Sequence, residues 1–294
     1  MSSTGIDAHL APGTHEFTVD GVRQVYHVAG DGPVLIAHSG GPGLAYAYLR
    51  SPELERHFTT VYPEPVGTGA SDGLADPGDY RLDTYVRFLS ALVDHLGPDR
   101  VHVLGHSHGG FVAQRYALDH PDRIAGLVLY DTSPMTGPEF WAAAMAALES
   151  YPQRYPDQPA AAGIPAAFQR ALAAQDDDAR SGGLRAALPV YLADFWARRS
   201  EFADLEAGLR IWGEPAGAQD PAPFDVRDRL GEITAPTVGI VGRHDFICGP
   251  RFAVMLHQGI AGSRLHVLEH SGHLGHIEQP AEFSQAVVAG LPRA

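Results

Sequence analysis

The chain has 294 residues, 45% of them apolar and 19% charged, enough for one large α/β domain or two medium ones with a sizeable core. All 21 basic residues are arginine, so Schiff-base enzymes, P-loop NTPases, protein kinases and Ser-Lys hydrolases are excluded for want of a side-chain amine. A formal net charge of -14 repels nucleic-acid phosphates and anionic membrane surfaces, and the one cysteine, Cys248, permits no internal disulfide.

No apolar run approaches the ~18 residues of a membrane span, and the first residues lack the basic and apolar regions of a secretory signal. A cytoplasmic protein that engages neither nucleic acid nor membrane is expected. Along the chain, Glu16 to Val19 and Val22 to Val28 read as a hairpin around the two-residue turn Asp20-Gly21. Pro33 to Ala37 and Thr59 to Tyr62 are the next strands. From Leu82 the residues Tyr85, Val86, Leu89, Leu92, Val93 and Leu96 fall at helical spacing, and Gly97-Pro98 ends the run. Val101 to Leu104 is a strand, His108 to Leu118 a helix and Ile124 to Tyr130 a strand. This alternation predicts a mostly parallel sheet covered by helices.

After Asp131 the pattern changes for about a hundred residues. Trp141, Met145 and Leu148 lie on one helical pattern, Leu188, Tyr191, Leu192 and Trp196 on another, and no strand is evident. Breaker-rich sequence from Glu214 to Pro223 closes this insert. Strands resume at Thr237 to Val241 and Leu265 to Leu268. The predicted division is a core of residues 1–131 and 230–294 with a helical insert at 132–229.

Between a predicted strand and a predicted helix stands Gly105-His106-Ser107-His108-Gly109, a G-x-S-x-G pattern in the context that gives it meaning. A sharp strand-to-helix turn needs small neighbours and exposes Ser107 above the sheet, near a helix N-terminus that stabilises developing negative charge. A serine hydroxyl needs a base, and the base an orienting carboxylate. Asp245 and His273 each follow a predicted strand and stand 28 residues apart, so both loops reach the same sheet edge. Asp131, at the end of the Ile124 strand, is the alternative acid. Cys248 reads as a packed thiol, since no helix start accompanies it.

The oxyanion hole is expected from the backbone N–H of His108 and one from the loop His38-Ser39-Gly40-Gly41-Pro42-Gly43, with Gly41 as the second donor. His270, His273 and His276 are spaced by three, but no helix or supporting carboxylates accompany them, so neither a metal nor any other cofactor is expected. His38, Glu64, His106 and Trp196 are candidate substrate contacts. His38, His106 and His108 crowd the elbow and predict an unusual acid limb in activity.

These residues together resemble the α/β-hydrolase fold, and within it the proline-iminopeptidase branch, which also contains amino-acid amidases. Gly40-Gly41-Pro42-Gly43 is similar to that branch's H-G-G-P-G loop and Gly67-Thr68-Gly69-Ala70-Ser71 to its G-x-G-x-S segment; Gly242 to Asp245 and Ser271 to His273 are similar to its acid and histidine motifs. The resemblance implies an eight-stranded sheet, a helical cap formed by the insert, and Ser107, Asp245 and His273 as the triad. It departs at Glu64-Pro65-Val66, where the branch has D-x-R, and at His106 and His108. Glu201, Glu206 and Glu214 are available for the free amine that iminopeptidases recognise. The expected activity is cofactor-free hydrolysis of a small amide, short peptide or ester. The alternatives are carbon–carbon cleavage, lactone or acyl-transfer chemistry on the same triad, or slow-turnover ligand binding.

Overall fold

The computed structural model describes residues 6–213 and 222–292. Eight strands form one open sheet: β1 (Gly13–Val19), β2 (Val22–Ala29), β3 (Val34–His38), β4 (Thr59–Pro63), β5 (Val101–His106), β6 (Ile124–Tyr130), β7 (Thr237–Gly242) and β8 (Arg264–Leu268). Their spatial order is β1-β2-β4-β3-β5-β6-β7-β8. The first two pairings, β1 with β2 and β2 with β4, are antiparallel, and every pairing from β4 onward is parallel. The hairpin falls where the sequence places it, with Val19 opposite Val22 and both Asp20 and Gly21 at positive φ, as a two-residue hairpin turn requires. Strand β1 begins three residues before Glu16, because pairing with β2 continues out to Gly13 opposite Val28.

The longer helices are α1 (Leu82–Leu96), α2 (His108–Asp119), α3 (Pro138–Arg154), α4 (Ile164–Ala173), α5 (Asp177–Ala187), α6 (Pro250–Gly259) and α7 (Pro280–Gly290). Gly97 ends α1 in the left-handed conformation, its N–H returning to the Val93 carbonyl. Strand residues divide between the two faces with period two. Ile36, Val103, Leu127 and Leu129 join the cluster built with α1, α2 and α6, whereas Leu35, Ala37, Leu104, Val128 and Tyr130 join the cluster built with α7 and the segment after β6.

Between β6 and β7 the described residues form helices and no strand, with isolated bridges from Met135 to Asp225 and from Leu44 to Ile211. Residues 214–221 of the breaker-rich stretch, including Glu214, lie outside the described residues. No described helix is long and apolar enough to cross a membrane. The carboxyl ends of β3, β5, β6, β7 and β8 open toward one edge, where the loops carrying the predicted chemistry converge.

Candidate active site

Ser107 joins β5 to α2 with φ of 54°, a left-handed conformation that a non-glycine residue keeps only where its surroundings enforce it. They do so here: the Ser107 N–H donates to the Tyr130 carbonyl (3.0 Å) and the Thr132 hydroxyl donates to the Ser107 carbonyl (2.8 Å). The turn also needs its glycines. A Cβ on Gly109 would lie 2.6 Å from the Ser39 carbonyl oxygen, and one on Gly105 would lie 2.7 Å from the Gly110 Cα.

His273 and Asp245 meet behind this turn. The His273 Nδ1 lies 2.8 Å from Asp245 Oδ2, with the Asp245 side chain fully enclosed. A carboxylate only accepts, so Nδ1 bears the hydrogen and Nε2 is left as a base. Asp245 Oδ1 accepts two further bonds, from the Ile247 N–H (2.9 Å) and the Cys248 N–H (3.1 Å). Burial, with Asp245 and Asp131 nearby, pushes the Cys248 thiol well above its ordinary pKa, so Cys248 is a packed, protonated neighbour.

A cavity of about 140 Å³ opens beside Ser107 and His273, with Gly41, Tyr48 and His106 also in its wall. Most of the remaining lining is apolar and comes from the segment after β6, including Trp141, Phe168, Leu172, Leu184 and Leu188. Trp141 and Leu172 are large apolar side chains left exposed at its rim. Among the described residues no aspartate or glutamate lines it, and Arg180 is the only arginine in its wall. One Arg180 nitrogen donates to the Ala174 carbonyl (2.7 Å), while its buried Nε has no protein partner among the described residues.

Tyr48 joins the walls together. Its hydroxyl accepts from the Gly40 N–H (2.8 Å) and donates to His106 Nδ1 (2.6 Å), and His106 Nε2 donates to the His273 carbonyl (2.9 Å). Because a carbonyl only accepts, this chain fixes one tautomer of His106 and links the glycine loop to the histidine loop. No motif marks Tyr48 in the sequence; it emerges only when β3, β5 and the histidine loop are brought together.

Three candidate substrate contacts fall elsewhere. His38 points to the opposite face of the sheet, toward Tyr85 and Phe88 of α1, its Nδ1 bonded to the Ser39 carbonyl (3.0 Å). Glu64 is buried against His27 of β2 (2.7 Å) and accepts from the Ala70 N–H, so its carboxylate braces the glycine segment 67–71. Trp196 donates to the Tyr151 hydroxyl (3.0 Å) within the helical segment. His106 alone of the four lines the cavity. Glu201 and Glu206 pair with Arg198 and Arg199 away from the cavity. The three spaced histidines also separate: His270 is exposed, and His276 is buried between the Tyr130 hydroxyl (2.9 Å) and the Tyr48 carbonyl (2.7 Å).

A family model described as the alpha/beta hydrolase fold matches residues 33–280. The chain belongs to this α/β-hydrolase family. A 2-hydroxy-6-oxononadienedioate/2-hydroxy-6-oxononatrienedioate hydrolase from Klebsiella pneumoniae is 29% identical over 279 residues, covering 90% of this chain and 89% of that protein. A hydrolase from Pseudomonas aeruginosa superposes with a TM-score of 0.71 at 27% identity, over 95% of this chain and 98% of the other. The proline iminopeptidase of Mycobacterium smegmatis shares the fold, with a TM-score of 0.67 at 23% identity over 94% of this chain and 97% of the other.

The hydrolase holds four imidazoles around this site uncharged. Burial pushes His38 and His276 down to about 4, His108 to about 3, and His106 well below its ordinary range. In place of several imidazoles titrating together near neutrality, the structure keeps His38, His106 and His108 neutral until strongly acid pH. A histidine depressed on folding contributes stability that is full above pH ~6.5 and lost as pH falls toward its folded value. Two acids oppose this trend, since burial raises Asp131 well above the usual carboxylate range and Glu278 to about 7. Below pH 6 the unfolded chain therefore binds more protons than the native one at these histidines, and the unfolding free energy is expected to fall as the pH is lowered. Urea titrations at pH 7, 6 and 5 check this, and a flat profile would mean that the depressed imidazoles do not outweigh the two raised acids.

Proposed function

We propose that this protein is a Ser107-dependent hydrolase of a small, largely apolar carbonyl compound that carries a carboxylate, with His273 as base and Asp245 as its orienting acid. The observation that carries the reading is the cavity: among the described residues, Ser107 and His273 open into largely apolar walls with no acidic side chain, and Arg180 is the only arginine there. A guanidinium in an apolar setting, with an N–H that no described residue accepts from, favours an anionic group on the ligand. Among substrates of that class we favour carbon–carbon cleavage. A compound with the name given for the Klebsiella relative holds no ester or amide, so its hydrolysis breaks a carbon–carbon bond beside a carbonyl, and it carries two carboxylates.

In the proposed mechanism His273 Nε2 takes the Ser107 proton as the oxygen attacks the carbonyl carbon, and Asp245 faces the imidazolium that results. The N–H groups of Gly41 and His108 hold the oxyanion. The imidazolium protonates the departing carbon, oxygen or nitrogen, and water then releases the acyl group with His273 again as base. The helical segment 132–229 acts as a cap that sets which substrate enters. Amine-terminated peptides are disfavoured, because a free ammonium would meet no acid among the lining residues.

Three probes separate the possibilities: a 2-hydroxy-6-oxo-dienoate, a p-nitrophenyl ester with a terminal carboxylate, and amino-acid anilides. Turnover of the first two and not the third is expected. Arg180→Met is expected to raise KM for the carboxylated ester by about 10–100-fold, the worth of a charge-assisted hydrogen bond, and to leave KM for a neutral ester of equal length unchanged. Equal losses on both esters, or preference for anilides, would overturn the reading.

A further inference from the structure

Asp131 directly follows β6 and is completely buried, a place where an apolar residue would ordinarily fill the core. It is held at φ of 43°, left-handed backbone that turns its side chain across to the end of β7. There Oδ1 accepts from the Gly242 N–H at 2.8 Å, three residues before Asp245. Asp245 is the neighbour that, after burial itself, most raises this carboxyl; both carboxyls lie beside the His273 ring, and among the described residues no N–H and no hydroxyl reaches Asp131 Oδ2. Other titratable neighbours are Glu278, Tyr130, Cys248 and ring nitrogens of His106 and His273, the last two within 4.8 Å of a carboxyl oxygen.

Two neighbouring carboxyl groups out of water do not both carry charge, so one of them holds a proton. The donors decide where it sits. Asp245 already accepts from Ile247, Cys248 and His273, three bonds that favour its anion, whereas Asp131 accepts only from Gly242.

We propose that Asp131 is a neutral, proton-bearing positioning residue that donates its carboxyl hydrogen to Asp245 and thereby holds that carboxylate at the angle His273 requires. The role rests on the reading of Ser107, His273 and Asp245 as the reacting residues. Asp131 keeps its proton throughout the cycle. The Ser107 proton passes to His273 and on to the leaving group, and Asp245 retains the single charge that faces the imidazolium.

The test compares Asp131→Ala with Asp131→Asn in the whole protein on a p-nitrophenyl ester, together with infrared difference spectra at pH 7. Asparagine keeps both bonds, accepting from Gly242 and donating an amide hydrogen to Asp245. Alanine is expected to lower kcat by about 10–100-fold with KM unchanged, through loss of alignment. Asparagine is expected to restore kcat to within about threefold of wild type, with the wild-type pH profile, because neither it nor the neutral acid carries charge. The wild-type spectrum is expected to show the carbonyl stretch of a neutral carboxylic acid that Asp131→Asn lacks. An asparagine variant as impaired as alanine, an alanine variant as active as wild type, or absence of the neutral-acid band would overturn the proposal. The band and the asparagine profile decide it even where alanine fails to fold. Turnover surviving in Ser107→Ala would remove the triad reading instead, while the band would still report the proton on Asp131.

Discussion

Alanine at Ser107 is expected to lower kcat by at least about 10⁴-fold and to abolish labelling by a fluorophosphonate, while the protein stays folded. The scale follows from removing the atom that forms the acyl-enzyme: what remains is oxyanion binding and substrate placement, which give only residual rates. The fold should tolerate the change. Both bonds that pin this turn, to the Tyr130 carbonyl and from the Thr132 hydroxyl, use the main chain of residue 107, and alanine adds no atom near the Gly40 loop. A urea midpoint close to that of wild type, alongside lost turnover, would isolate the chemistry from the folding. Full activity in this variant would sink the mechanism.

Asparagine at Asp245 is expected to cost about 10³–10⁴-fold in kcat/KM, much more than either change at Asp131. The amide has the shape of the carboxylate and different hydrogen-bond logic. The Ile247 and Cys248 N–H groups both point at Oδ1, so the amide oxygen goes there and its NH₂ turns to His273 Nδ1. Nδ1 must then accept, Nε2 carries the hydrogen, and the imidazole faces Ser107 as a donor with no lone pair for the serine proton. Loss of the charge also removes what stabilises the imidazolium. The check is kcat/KM on an activated ester at neutral pH; a loss of tenfold or less would mean that Asp245 is not the orienting acid, and Asp131 would be the residue to examine next.

The strands were legible because buried parallel strands are short apolar runs and this chain punctuates them with glycine and proline. The elbow was legible for a different reason, since only a glycine-flanked serine between strand and helix satisfies the crowding seen at Gly105 and Gly109. Side-chain direction was not. His38 and His106 both end strands beside the same cleft, yet His106 turns toward Tyr48 and the cavity, and His38 toward α1. Pleat phase decides this, and it depends on where each strand starts relative to its neighbour. Glu64 was misplaced because its partner, His27, comes from an antiparallel neighbour 37 residues earlier in the chain. Arg180 lies in a segment whose packing is set by helix contacts far apart in sequence, so composition alone could say only that an arginine would supply any cation.

The histidine loop is tied to the helical segment by its own main chain. The His273 N–H donates to the Tyr191 carbonyl (2.7 Å), and the Glu278 carboxylate accepts both from Gly272 (2.6 Å) and from Ala193 (2.7 Å). In the proposed mechanism residues 191–193 therefore help to mount the base as well as forming part of the proposed cap. Exchange of this cap for that of a relative, in evolution or in the laboratory, is a modular operation only if the graft boundaries leave those main-chain anchors in place. On the same reading, a chimera that replaces them is expected to change what the cavity admits and to misaim His273 in the same step.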